Sequence, residues 1–93
     1  MNPSPNGARE SLRNCYREAA RESDWLNCRL AAEQLCRLRR SPSEGSEDLY
    51  ALGYAYEKLG NAATARVNYE AVLALDSGHG KARRRLLALD TTA

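Results

Sequence analysis

Apolar residues recur at the spacing of one helix face in five successive windows, and nowhere alternate with polar ones as in a strand between hairpin turns. From Ala8, the positions Leu12, Cys15, Tyr16 and Ala19 predict a first helix that closes near Ser23. Asp24 is a suitable N-cap for a second helix, whose wide apolar face holds Trp25, Cys28, Ala31, Ala32, Leu35 and Leu38 before Arg39-Arg40 ends it. The stretch Ser41-Pro42-Ser43-Glu44-Gly45 reads as a chain reversal, so the third helix is expected to be capped by Ser46. Glu47 and Asp48 fall in its first turn, where the helix dipole favours acids, and Leu49, Leu52, Tyr56 and Leu59 form its inner side. Gly60-Asn61 closes it. A fourth helix carries Ala62, Ala65, Tyr69, Val72 and Leu73 as far as Leu75, before the breakers Asp76-Ser77-Gly78-His79-Gly80. The fifth carries Ala82, Leu86 and Leu89, with Arg83, Arg84 and Arg85 directed outward. The expectation is an all-α fold of five helices. Residues 1–7 read as a disordered tail and 8–93 as one domain, divided into 8–42, 46–79 and a capping helix over 80–90.

The two helix pairs superimpose in sequence. Trp25, Cys28, Ala32 and Leu35 fall on Ala62, Ala65, Tyr69 and Val72 with a constant offset of 37 residues, which marks an internal repeat. Hairpins of this kind cannot bury their shared face alone and must stack on neighbours. In the second unit the run Leu49-x-x-Leu52-Gly53-x-x-Tyr56, then Gly60-Asn61, Ala65, Tyr69 and Leu73-x-Leu75-Asp76, is similar to the tetratricopeptide repeat over residues 46–79. Ser77 stands where that family usually has proline. Gly53 and Ala65 are small where paired helices approach closest, and Leu52, Tyr56 and Tyr69 fill the space around them. The first unit is degenerate: Tyr16 takes the place of Gly53, Ala19 that of Tyr56 and Ala32 that of Tyr69.

The resemblance implies antiparallel hairpins stacked as a short right-handed superhelix. It further implies a scaffold for peptide or protein partners, with a concave groove lined by the first helix of each repeat. On that geometry Arg13, Arg17, Tyr50, Tyr54, Lys81 and Arg85 share the groove, basic at both walls and aromatic along the middle. Some family members grip the carboxylate end of a chaperone tail. Lys81, Arg85 and Arg13 match their three bases, but Arg17 and Ala51 replace their two asparagines, so the full clamp is absent.

Composition narrows the function. Ninety-three residues suffice for one small core, which excludes a two-lobed enzyme. The net charge of +2 is segregated. Residues 1–42 hold eight arginines against five acids, residues 43–79 two bases against six acids, and residues 80–93 four bases against Asp90. Arginine supplies 12 of the 14 basic residues, a bias towards forked pairing with carboxylates or phosphates. No apolar stretch approaches the roughly 20 residues that cross a bilayer, and the first seven residues have no leader-like pattern, so a cytoplasmic protein with no membrane partner is expected.

Candidate chemistry is sparse. No nucleophile elbow, phosphate loop or zinc-protease motif occurs, and His79 stands in a loop beside two glycines, which argues against an enzyme and for a solvated turn residue. Cys15, Cys28 and Cys36 lack knuckle spacing and fall on apolar faces, so buried, reduced thiols are expected rather than a metal site, with no cofactor. Arg9, Arg13, Arg17 and Arg21 recur every four residues as one ridge along the first helix. Arg37, Arg39 and Arg40, with Lys81, Arg83, Arg84 and Arg85, would serve nucleic acid as a minor alternative that the acidic centre disfavours. The leading expectation is an adaptor or chaperone-like module for an acidic peptide or helical segment. The second is a structural docking subunit that works through its degenerate unit, as small tetratricopeptide-like secretion chaperones do; self-association stays open.

Overall fold

The computed structural model describes residues 5–38 and 41–91. Five helices follow in order, with no strand among the described residues: α1 (Pro5–Arg21), α2 (Trp25–Leu38), α3 (Pro42–Lys58), α4 (Ala62–Leu75) and α5 (Gly80–Thr91). Each packs on the next, in a slab of 50 × 28 × 16 Å. The all-α, five-helix expectation holds.

The helix boundaries repeat as the sequence does. Both α1 and α3 have 17 residues, and Pro42 stands 37 places after Pro5; α2 and α4 have 14 residues each, and Ala62 stands 37 places after Trp25. The turns inside the hairpins match as well. At the end of α3, Gly60 has φ of 87°, its N–H donates to the Glu57 carbonyl, and the Asn61 N–H donates to that of Tyr56. At the end of α1, Ser23 has φ of 57°, its N–H donates to the Ala20 carbonyl, and the Asp24 N–H donates to that of Ala19. Both satisfy the last carbonyls through a left-handed residue, a geometry natural to glycine and strained for serine. The side chains of Asp24 and Asn61 then cap the following helices by accepting from the N–H groups of Asn27 and Thr64.

Two boundaries differ from the sequence reading. Helix α3 starts at Pro42 rather than at Ser46, with Ser41 as its N-cap accepting from the Glu44 N–H at 3.2 Å. Proline, a breaker inside a helix, is favoured at the first helical position, where no backbone donor is needed. Gly45 and Ser46 are therefore buried within the helix. Helix α1 takes in Pro5–Gly7, assigned above to the tail, for the same reason; residues 1–4 lie outside the described residues, as do Arg39 and Arg40.

The core is built from small and aromatic side chains. Ala65, Tyr69, Val72 and Ala82 are fully buried, with Leu49, Tyr50, Tyr56, Leu73, Leu86 and Leu89 packed around them. Cys28, Ala31, Ala32, Leu35 and Ala55 are buried between the neighbouring helices. Among the residues expected to form the core, Gly53, Ala65 and Tyr69 are buried, while Leu52 and Tyr56 are half-buried. Leu38 and Leu59, expected to face inward, are largely exposed. Cys15 is exposed and Cys36 half-buried, so only Cys28 is a core thiol, and burial, then the nearby Asp24, pushes its pKa up. A cysteine on an apolar stripe is buried only where another helix covers that stripe, and Cys15 has no such cover.

Candidate functional site

One buried cation ties three helices together. Arg9 is 2% exposed: its guanidinium donates to the Leu35 carbonyl of α2 at 3.0 Å and to Oδ2 of Asp48 on α3 at 2.8 Å, with Glu44 3.4 Å from Nε. The sequence reading placed Arg9 with Arg13, Arg17 and Arg21 on one ridge; the last three are exposed, but Arg9 is not. The overlooked signal is its spacing: Arg9 precedes Leu12 by three residues and Tyr16 by seven, which is the inward stripe. Asp48 occupies the matching stripe of α3, four residues before Leu52.

The second link from α1 to α3 is Tyr16, whose hydroxyl donates to the Ala51 carbonyl at 2.9 Å. Beside it, an open pocket of about 300 Å³ is lined by Arg13, Tyr16 and Arg17 of α1 and by Glu47, Asp48 and Ala51 of α3, with Leu35. Two exposed arginines thus form one wall. Opposite them Glu47 is largely exposed, whereas Asp48 is taken up by Arg9.

Along α3 the aromatics continue. Tyr50 and Tyr54 stack at 6.3 Å, Tyr54 meets the edge of Trp25 at 5.6 Å, and Tyr50 lies against the buried Tyr69 at 5.6 Å. Lys58 and Arg85 lie 5.3 and 5.8 Å from the centre of the Tyr54 ring. Arg85, expected as a groove base directed outward, is half-buried and ion-paired with Glu57, which also accepts from the Tyr69 hydroxyl at 2.8 Å. Lys81 is exposed in the first turn of α5. The structure therefore brings Arg13 and Arg17 beside α3 and sets Arg85 on Tyr54, with much of the Arg85 charge already balanced.

His79 is a correction. It is 8% exposed rather than solvated. Its Nδ1 accepts from the Ala82 N–H at 3.1 Å, capping α5, while Nε2 lies 3.3 Å from Oε1 of Glu47 and the ring packs on Tyr50 at 5.2 Å. Histidine is an uncommon N-cap, so no local pattern announces this role. Among the described residues no three His, Cys, Asp or Glu side chains stand close enough to hold a metal ion, and no helix is long and apolar enough to cross a membrane.

Burial raises the hydroxyl pKa of Tyr16 and Tyr69 well above the ordinary tyrosine value, and neighbouring groups raise them further: Cys28, Tyr54 and Tyr50 for Tyr16, and Tyr50, Tyr16 and Tyr54 for Tyr69. Tyr50 is raised too, by burial first and against the pull of Arg85. A raised folded-state pKa means that the folded protein keeps protons the unfolded chain has lost, so the stabilisation is complete below about pH 10 and declines above it. Thermal melts across the alkaline range are expected to fall steeply beyond that point. Tyr16→Phe should flatten the decline; an identical slope in the variant would rule out the assigned cause.

Comparison with family models, curated proteins and solved structures returns no match.

Proposed function

We propose that the chain is a tetratricopeptide-like protein-interaction module that holds an acidic peptide or helical segment across α1, α3 and α5. The observation that carries this reading is the pocket walled by Arg13 and Arg17 and continued along α3 by the stacked Tyr50 and Tyr54. Arginine forks supply directed hydrogen bonds to carboxylates, and half-buried tyrosines supply contact area at low entropic cost. The 37-residue match of helix bounds and turns supports a repeat scaffold. Arg85 contributes by holding Tyr54 rather than by meeting the ligand directly.

The test is an array of synthetic peptides that pair Asp or Glu with Leu or Tyr anchors, the best binder then titrated by fluorescence anisotropy. Arg17→Glu should weaken that binding at least tenfold, or about 1.4 kcal/mol, with an unchanged melting temperature. Arg37→Glu, an equal charge change on exposed α2 surface, should leave it intact. Equal losses for the two variants would reduce the interaction to bulk charge and sink the assignment of the pocket.

A further inference from the structure

The flank of α1 opposite this pocket carries a different surface. On α3, Tyr56 meets α2, its hydroxyl donating to Glu33 at 3.0 Å and its ring lying 5.9 Å from the Arg29 guanidinium. Ala19 of α1 stands 37 residues before Tyr56, so it marks the side of α1 on which a preceding helix would pack. An open cleft of about 470 Å³ lies there between α1 and α2, with Leu12, Ala19, Leu30 and Ala31 in its lining. Leu30 remains 41% exposed, although it lines this cleft. The charged residues of the lining are Glu18, Glu22 and Asp24, with no lysine or arginine among them.

The far end of the molecule has the converse character. Helix α5 turns Ala82, Leu86 and Leu89 towards the core, leaving Leu87 60% exposed. Arg83 and Arg84, on the turn before it, are exposed as well, and residues 80–89 contain no acid. Asp90, the acid that follows, is ion-paired with Arg66 of α4. A partly apolar cleft rimmed by acids at one end thus matches an exposed leucine beside two arginines at the other.

We infer that these two surfaces bind each other between copies, α5 of one chain lying in the α1–α2 cleft of the next, with Leu87 over the apolar floor and Arg83 and Arg84 against Glu18 and Glu22. The contact joins two different patches at opposite ends, so its head-to-tail repeat builds rings where the rotation closes and open-ended chains where it does not. It leaves the pocket of Arg13 and Arg17 free, and Glu18 and Glu22 lie outside that pocket, so reversing their charge separates a loss of association from a loss of peptide binding. Charges at the rim are screened beyond about 10 Å at 0.1 M salt, so association should weaken as salt rises.

Sedimentation equilibrium of the full chain up to roughly 0.5 mM, at low and high salt, reads the association directly. The wild type is expected to show a mass rising with concentration. Glu18→Lys with Glu22→Lys, and separately Arg83→Glu with Arg84→Glu, should each weaken it at least tenfold. All four positions are exposed, and circular dichroism checks that the helices remain. An equimolar mixture of the two double variants restores opposite charges at every junction and should regain the wild-type mass. A monomeric wild type over this range, association unaffected by either reversal, or a mixture that stays dissociated would each overturn the proposal.

Discussion

Gly53→Ala should lower the melting temperature on the order of 10 °C, and Gly53→Leu should prevent a stable fold. A Cβ at this position would lie 2.9 and 3.1 Å from the Tyr69 ring and 3.2 Å from Cβ of Asn68. The ring has little room to yield: Tyr69 is fully buried, its hydroxyl is fixed on Glu57 and its face rests on Tyr50. Overpacking of this kind costs about 1–3 kcal/mol, a large share of the stability of so small a domain. Gly80→Ala is the matched control, since a Cβ there meets nothing within 4 Å and the position opens α5. Differential scanning calorimetry of the three variants is decisive; if Gly53→Ala melts with the wild type, the close approach of α3 and α4 is wrong.

The second large effect concerns the buried pair. Asp48→Ala leaves the Arg9 guanidinium in the interior with only Glu44 and the Leu35 carbonyl, and losing one partner of a buried ion pair costs about 3–5 kcal/mol. Because Glu44 remains 3.4 Å away, the lower end of that range is expected. Arg9→Met alone strands Asp48, which is 3% exposed, and should cost a similar amount. Arg9→Met combined with Asp48→Leu removes both charges and is expected to recover most of the loss, because a packed apolar replacement avoids the desolvation of the pair. Urea denaturation of Arg9→Met, Asp48→Leu and the variant that combines them completes the cycle. Strictly additive losses would mean that the two residues do not act as a pair.

The helices were legible in sequence wherever apolar residues carried the period. Leu12 to Ala19, Cys28 to Leu35 and Ala65 to Val72 each announce a face, and their repetition at 37 residues announces the hairpins. Legibility failed where the inward stripe is polar or absent. The first two turns of α3 bury Gly45, Ser46 and Asp48, none of them apolar in the pattern sense, so Ser41-Pro42 reads as a turn instead of an N-cap and first helical residue, and Glu44 rather than Glu47 and Asp48 is the acid of the first turn. Arg9 was absorbed into a ridge of arginines because its four-residue spacing competes with its place on the inner stripe. His79 and Arg85 depend on partners far away in sequence, Glu47 and Tyr50 for one and Glu57 for the other, and local pattern carries no trace of such pairings. Arg13, Arg17, Tyr50 and Tyr54 could be nominated only because the repeat frame assigns them equivalent faces.

The turn at Ser23 gives this small array a direction of assembly. Its left-handed backbone costs a serine roughly 1–2 kcal/mol that Gly60 does not incur in the equivalent place. The hairpin it closes also buries the small Ala32 where the second hairpin buries Tyr69. In a row of units that pack chiefly on their neighbours, order spreads outward from the pair that closes most cheaply, here α3 with α4. Helix α1 then docks late and opens early, and amide exchange would register it as the first segment to unlock. Arg9 is the latch on that motion: its bonds to Leu35 and Asp48 form only once α2 and α3 are both in place, so the completed array holds α1 more firmly than its own hairpin alone.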